Sequence, residues 1–188
     1  MRALTLTQPW AALVALGIKR IENRDRPLIR RADFGKPFAI HAGKKVDESV
    51  YQRIDELWPR CGIYMGDDFL DPTCPQLTCT RRLGHAGRCD SVTGVRDDEV
   101  WMKLSRVTSA VIGVATVTDA VKVAGCGPET IAAVCEKMGV ADHRRWMFGP
   151  TAYITKDNRA LATPVPHRGF QGFWTLPDAI AAAVGSQL

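Results

Sequence analysis

Residues 2–24 have the sequence RALTLTQPWAALVALGIKRIENR. Alternating apolar and polar residues over 2–6 predict a short first strand. A helix follows, because Pro9 suits its first position and Gly17 suits the residue just past its end. Residues 19–24 then return as an extended, charged segment. The chain therefore opens with a strand, one buried helix and a second strand.

The remaining periodicity mixes short strands with helices. Strands are predicted at residues 37–42, 107–123, 151–155, 161–166 and 172–176, and helices at residues 47–58, at 128–138 and from about residue 177 onward. Residues 59–98 lack this periodicity and predict an insertion within one domain that spans residues 1–188. This order favours an α+β fold, a small mixed or antiparallel β-barrel with helices packed outside it.

Composition is that of a globular protein, and the excess of basic residues favours a polyanionic partner. It has 188 residues, 46% of them hydrophobic, and a formal net charge of +5. Its apolar stretches, such as residues 110–117, are far shorter than the ~20 residues of a membrane span. The first residues show no secretory signal pattern. We expect a soluble, cytoplasmic protein that contacts nucleic acid.

Four metal-ligand side chains cluster in the insertion with short spacings, at Cys74, Cys79, His85 and Cys89. Three thiolates and one imidazole suit tetrahedral Zn²⁺, and four protein ligands predict a structural site. Zinc binding would supply the folding energy that this polar segment lacks. Cys61 is the alternative fourth ligand, should Cys74 prove too distant. Cys126 and Cys135 are interpreted as buried, small apolar residues.

Charges of both signs follow the first helix, with Lys19, Glu22 and Arg24 inside six residues. Such a run is most often an exposed strand with solvated charges. In a regular strand Lys19 and Glu22 would point to opposite faces, because their spacing is odd. A shared site for the two therefore requires a turn or a bulge between them.

The chain resembles the ASCH family of the PUA-like superfamily over residues 2–46 and 105–180. Four elements carry this resemblance: Gln8-Pro9-Trp10, Gly17-x-Lys19-x-x-Glu22-x-Arg24, residues 38–42 (FAIHA), and residues 163–169 (TPVPHRG) followed by Phe173-Trp174. The resemblance implies a small β-barrel with a cleft beside the first helix. Members of the superfamily bind RNA or DNA, and several relatives read a flipped or modified base.

The implied cleft gives each charged residue a role. Lys19 and Arg24 would bond phosphate or a base carbonyl, and Glu22 would accept from an exocyclic amine. Trp10, Phe173 or Trp174 could stack on a base, although core packing is the commoner role of a tryptophan. We expect RNA rather than DNA as the partner, bound by Gln8, Trp10, Lys19, Glu22, Arg24, His41, Lys44, Lys45 and Arg168.

Enzymatic activity is the alternative that the resemblance offers. Some bacterial ASCH proteins are N4-acetylcytidine amidohydrolases with a catalytic lysine, threonine and glutamate. Lys19 matches that lysine, whereas Glu22 stands at the threonine position. Another member is a ribonuclease, for which Lys19, Glu22 and either His41 or His167 are candidates. Lys19 and Glu22 are thus the candidate catalytic pair. A protein-interaction module is the third hypothesis for the function.

Overall fold

The computed structural model describes residues 1–26, 29–52, 98–140 and 146–188. Within them the strands are β1 (Arg2–Gln8), β2 (Ile21–Arg24), β3 (Pro37–Val46), β4 (Ala110–Lys122), β5 (Thr151–Pro166) and β6 (Phe173–Thr175). The helices are α1 (Trp10–Ala15), α2 (Glu48–Gln52), α3 (Asp98–Ser105), α4 (Pro128–Lys137) and α5 (Asp178–Gly185), with one 3-10 turn at Arg31–Asp33. None of these helices is long and apolar enough to cross a membrane.

One mixed sheet with the order β2-β5-β4-β3-β1-β6 organises the chain. β1 and β3 are parallel, and the other neighbours are antiparallel. The α+β class is confirmed, but the predicted closed barrel is wrong for the described residues, because β2 and β6 remain edge strands. Both are too short to close the sheet, at 4 and 3 residues.

The strands alternate between two cores, as expected when both sheet faces are covered. On one face Leu4 and Ile40 pack with the buried helix α1. On the other, Ala3, Ala39 and Trp174 pack with residues from α5. The sheet is therefore a central layer. Successive residues of a strand join alternate cores, except where a register shift in β4 reverses the alternation, so that Val111 and Val114 share one core.

Helix α1 lies very close to the sheet. Residues Ala11–Ala15 are all buried, and a Cβ on Gly113 of β4 would stand 2.7 Å from the Ala15 Cβ. Gly17, with φ +74°, ends the helix and turns the chain toward β2. The small residues Ala15 and Gly113 thus allow α1 to pack closely against β4. The end of α1 at Gly17 then fixes where the charged segment begins.

Most predicted elements are present in the described residues, with two differences. Helix α3 was not expected, because its only fully buried aromatic, Trp101, gives little periodicity beside the polar insertion. The two strands predicted over residues 151–166 are one strand, bent by register shifts against β4. The predicted helix at 47–58 is present over Glu48–Gln52, where the described residues end, and residues 53–58, the zinc ligands and nearly all of the 59–98 insertion lie outside them.

Candidate functional site

An opening in the sheet separates β2 from β1. β6 pairs with β1 over Arg2–Leu4, and the Thr5 N–H donates to the Gly172 carbonyl at 3.4 Å, so the described backbone pairing on this edge of β1 ends at Thr5. The Arg24 side chain of β2 spans this opening, with Nη2 donating to the Thr5 carbonyl at 3.2 Å. The position where a barrel would close is therefore occupied by side chains.

Lys19 lies in the turn that follows α1, before β2 begins. Its backbone N–H donates to the Leu13 carbonyl at 3.0 Å, which continues the helix end set by Gly17. Its Nζ donates to the Ile21 carbonyl and to Glu22 Oε2, the latter at 3.0 Å. The turn required by the odd spacing is thus present, and Lys19 and Glu22 share one site.

Glu22 stands between two cations. Its Oε2 pairs with Lys19, and its Oε1 lies 3.0 Å from Arg24 Nε. The Arg24 Nε–H is buried without a hydrogen bond of its own, so this second contact is a charge contact. These three residues, termed the charged triad, carry one net positive charge.

Burial sets the protonation balance of the triad. Lys19 is only 2% exposed, and this desolvation lowers its pKa below the ordinary 10.5, while the charge of Glu22 and its hydrogen bond oppose the shift. Arg24 adds a smaller repulsion that lowers the pKa of Lys19 further. The ammonium is therefore easier to deprotonate than an exposed lysine.

Two aromatic side chains form walls beside the triad. Trp10 is fixed by its Nε1–H, which donates to Asp47 Oδ2 at 3.2 Å, and its ring lies 5.5 Å from Lys19 Nζ. Phe148 is 60% exposed, and its ring centroid lies 6.0 Å from that of Trp10. An anchored aromatic and an exposed one therefore meet at the mouth of the site.

Asn23 ties the 146–149 segment to β2. Its Nδ2 donates to the Trp146 carbonyl at 2.7 Å, and its Oδ1 accepts the N–H groups of Phe148 and Gly149 at 3.2 and 3.0 Å. All three bonds pass to backbone, so they set the path of the segment. Asn23 is a positioning residue for Phe148.

Two adjoining cavities lie along this surface. The first, of about 250 Å³, is lined by Thr5, Leu6, Thr7, Trp10, Lys19, Glu22, Asn23, Arg24 and Phe148. The second, of about 490 Å³, is lined by Asn23, Arg24, Asp25, Arg26, Phe148, Gly149 and Pro150. Three residues line both, so the cavities adjoin, and together they are termed the cleft.

The structure places Gln8 inside the protein and not on the cleft. Its amide group donates to the carbonyls of Leu104 and Val107 at 3.0 and 2.6 Å, and its Oε1 accepts the Ala12 N–H at 3.2 Å. Both donors are used, and the side chain is fully buried. Gln8 thus joins β1, α1 and the end of α3, which is a positioning role.

His41 packs in the interior, against the end of β5 and β6. Its Nε2 donates to the His167 carbonyl at 2.9 Å, its ring packs edge-on against Trp174, and burial lowers its pKa. Its exposed fraction is 1%, and it lines neither cavity. His41 is therefore an interior residue with a structural role, and not the cleft contact that was predicted.

The other predicted contact residues lie outside the two cavities. Lys44, Lys45 and Arg168 are exposed, whereas Trp174 is buried in the smaller core and Phe173 packs against Phe38.

Of the two cysteines that were predicted to be buried, Cys135 is fully buried and Cys126 is partly buried. Across residues 1–26, 29–52, 98–140 and 146–188, no group of three metal-ligating side chains occurs.

Sequence reasoning missed Phe148, Asn23 and the part of β1, Thr5 to Thr7, that lines the first cavity. The sequence WMFGP at 146–150 holds two aromatics before a Gly-Pro turn, which is the one local signal for an exposed aromatic. The partnership of Asn23 with that turn spans more than 120 residues and has no local signature.

Comparisons with known proteins identify structures but no sequence relatives. No family model matches the chain, and no curated protein does. Among solved structures, crystal structures of ASCH from Zymomonas mobilis and of two point variants of that protein match it. Identity is 13–14%, coverage is 98% of this chain and 93–96% of that chain, and the TM-score is 0.44. ASCH is the family that the motifs above resemble; at this identity and TM-score no residue role passes from those structures to this chain.

Proposed function

We propose that the first cavity binds one unpaired nucleobase of a nucleic acid strand, with RNA as the expected partner. The observation that carries the proposal is the charged triad, held in a cavity with aromatic walls at the opening of the sheet. A cavity of about 250 Å³ is below the ~300–1,000 Å³ of drug-sized sites, which suits a single planar ring system.

The triad offers donors and an acceptor at close quarters. Lys19 has three N–H groups, of which two bond Ile21 and Glu22, so one remains for a base carbonyl. The carboxylate of Glu22 keeps lone pairs for an exocyclic amine. In a site this buried, each such bond discriminates strongly, because a mismatched base leaves a desolvated group unpaired.

Stacking and net charge support the same partner. Base–aromatic stacking contributes about 1–3 kcal/mol per base, and Phe148 presents the exposed ring for it. The charged triad and the chain's net charge of +5 both favour a polyanion. A nucleic acid strand is the ligand class that combines a flat ring with repeated negative charge.

Replacing Phe148 with alanine is expected to weaken the binding of short RNA oligonucleotides about tenfold, because ~1.4 kcal/mol of stacking is lost. Fluorescence anisotropy at fixed salt measures the affinity. Phe170→Ala is the matched control, since Phe170 is 56% exposed and packs on Trp174 instead. Equal losses in both variants would contradict stacking in the cleft.

Hydrolysis of a modified nucleoside is the second candidate, favoured by the lowered pKa of Lys19. A neutral amine could activate water for attack on the acetyl carbonyl of N4-acetylcytidine, which would release acetate and cytidine. Chromatography of the products should show turnover that rises with pH as Lys19 deprotonates. Turnover should vanish in Lys19→Met and persist in Lys44→Gln, whose lysine is exposed and outside the cavities. Unchanged turnover in Lys19→Met would remove Lys19 from the reaction.

A structural zinc ion in the insertion is a separate proposal, supported by the spacing of Cys74, Cys79, His85 and Cys89 alone. Elemental analysis of the purified protein is expected to give one zinc per chain. Cys79→Ser should lose the metal, whereas Cys126→Ser, at a partly exposed cysteine in the described part of the chain, should retain it. Metal-free, fully folded protein would refute the site.

A further inference from the structure

We infer that the second cavity is a phosphate subsite that takes the phosphodiester group adjoining the bound base. The natural ligand is then a nucleotide strand and not a free nucleoside. This inference rests on the function proposed for the first cavity and adds a second binding site to it.

The two cavities are joined in a way that fits consecutive parts of one ligand. Asn23, Arg24 and Phe148 line both, so the two cavities adjoin at these residues, at a spacing that suits a base and its neighbouring phosphate. The first cavity contains the buried triad and suits a base edge. The second is larger and is lined by exposed charged residues, which suits a hydrated sugar and phosphate.

Arg24 is placed to serve the second cavity. Only one of its five N–H groups, on Nη2, makes a hydrogen bond to a residue in the described part of the chain. The side chain is 23% exposed, so the guanidinium reaches solvent while Glu22 and Thr5 hold it. A planar guanidinium fixed at one end and free at the other can bind phosphate bidentately.

Arg26 adds the second positive charge. It lines the second cavity and not the first, and it is exposed. Asp25 also lines this cavity, so its lining carries two arginines against one carboxylate. This net positive charge favours one bound anion. Because Arg26 lines only the second cavity, replacing it tests phosphate binding separately from base binding.

The test compares ligands that differ only in phosphate. Affinities of wild-type protein are measured by calorimetry for the four ribonucleosides, N4-acetylcytidine, their 3′- and 5′-monophosphates and the corresponding dinucleotides. Phosphate on one side of the base is expected to tighten binding. In Arg26→Gln, the gain in affinity that the phosphate gives should be about fivefold smaller than in wild type, and nucleoside affinity should be unchanged. The salt dependence of dinucleotide binding should decrease in the same variant.

Arg159→Gln is the matched control, because Arg159 is an exposed arginine that lines a different cavity, beside β4. It should keep the full phosphate gain, and thermal melts should show that both variants are folded. Equal affinity for nucleosides and their phosphates would overturn the subsite, as would an undiminished gain in Arg26→Gln. If neither nucleosides nor dinucleotides bind, the proposed function itself fails, which is a distinct result.

Discussion

Glu22→Gln is expected to lower the free energy of unfolding by about 3–5 kcal/mol, because it leaves the buried Lys19 ammonium without its counter-charge. Glu22 is 6% exposed and Lys19 is 2% exposed, so water compensates little for the lost partner. Urea denaturation followed by circular dichroism measures the change.

A double-mutant cycle separates the ion pair from simple repacking. Lys19→Met removes the buried charge, so Lys19→Met/Glu22→Gln should be more stable than the sum of the two single changes predicts. Additive effects would contradict a coupled pair. Lys44→Gln, which removes an exposed lysine, should leave stability within about 0.5 kcal/mol of wild type.

Glu22→Gln is also expected to change how stability depends on pH. Because burial lowers the folded-state pKa of Lys19 below 10.5, the unfolded chain binds more protons at alkaline pH. This group's contribution to stability therefore rises with pH between its lowered folded value and 10.5. Glu22→Gln removes the opposing attraction and should steepen that rise, which denaturation at a series of alkaline pH values measures.

Gly149→Ala is expected to lower both stability, by about 1–3 kcal/mol, and oligonucleotide affinity, at least as far as Phe148→Ala does. A Cβ at this position would stand 2.6 Å from the Asn23 Cβ and 3.3 Å from its Cα. These atoms belong to β2, so no change of rotamer relieves the clash. The 146–149 segment must move away, which lengthens its three bonds to Asn23 and displaces Phe148.

Gly127→Ala is the control for an added methyl group. A Cβ there meets no atom within 4 Å, and φ is −76°, so alanine fits without strain. Thermal melting and oligonucleotide titration of the two variants should differ clearly. If Gly149→Ala binds and melts like Gly127→Ala, the packing of this segment on β2 does not position Phe148.

Local sequence patterns were sufficient for most elements. Alternation over residues 2–6 predicted β1, and Gly127-Pro128 with Gly139 marked the ends of α4, observed as Pro128–Lys137. The β-branched run of residues 107–123 predicted β4, although Val107 instead closes α3 by donating to the Leu104 carbonyl. These signals are reliable because strand and helix periods are properties of a few adjacent residues.

The charged segment could be identified from the sequence, but its geometry could not. Lys19, Glu22 and Arg24 were visible as a motif, whereas a regular strand would have separated Lys19 from Glu22. The turn after Gly17 allows Lys19 Nζ to fold back along β2 and reach Glu22. Gln8 shows the opposite case, since the family resemblance pointed to a ligand contact and the fold uses its amide internally.

The sequence by itself determined the α+β class, most of the order of elements and the three residues of the charged triad, because each depends on short-range periodicity or on side-chain chemistry. Only the tertiary structure decided that the sheet stays open between β2 and β1 and that Arg24 spans the opening. It also decided that Asn23 holds Phe148 beside Trp10. Those features depend on contacts between residues far apart in the chain, whose free energies come from packing and burial, and no local pattern encodes them.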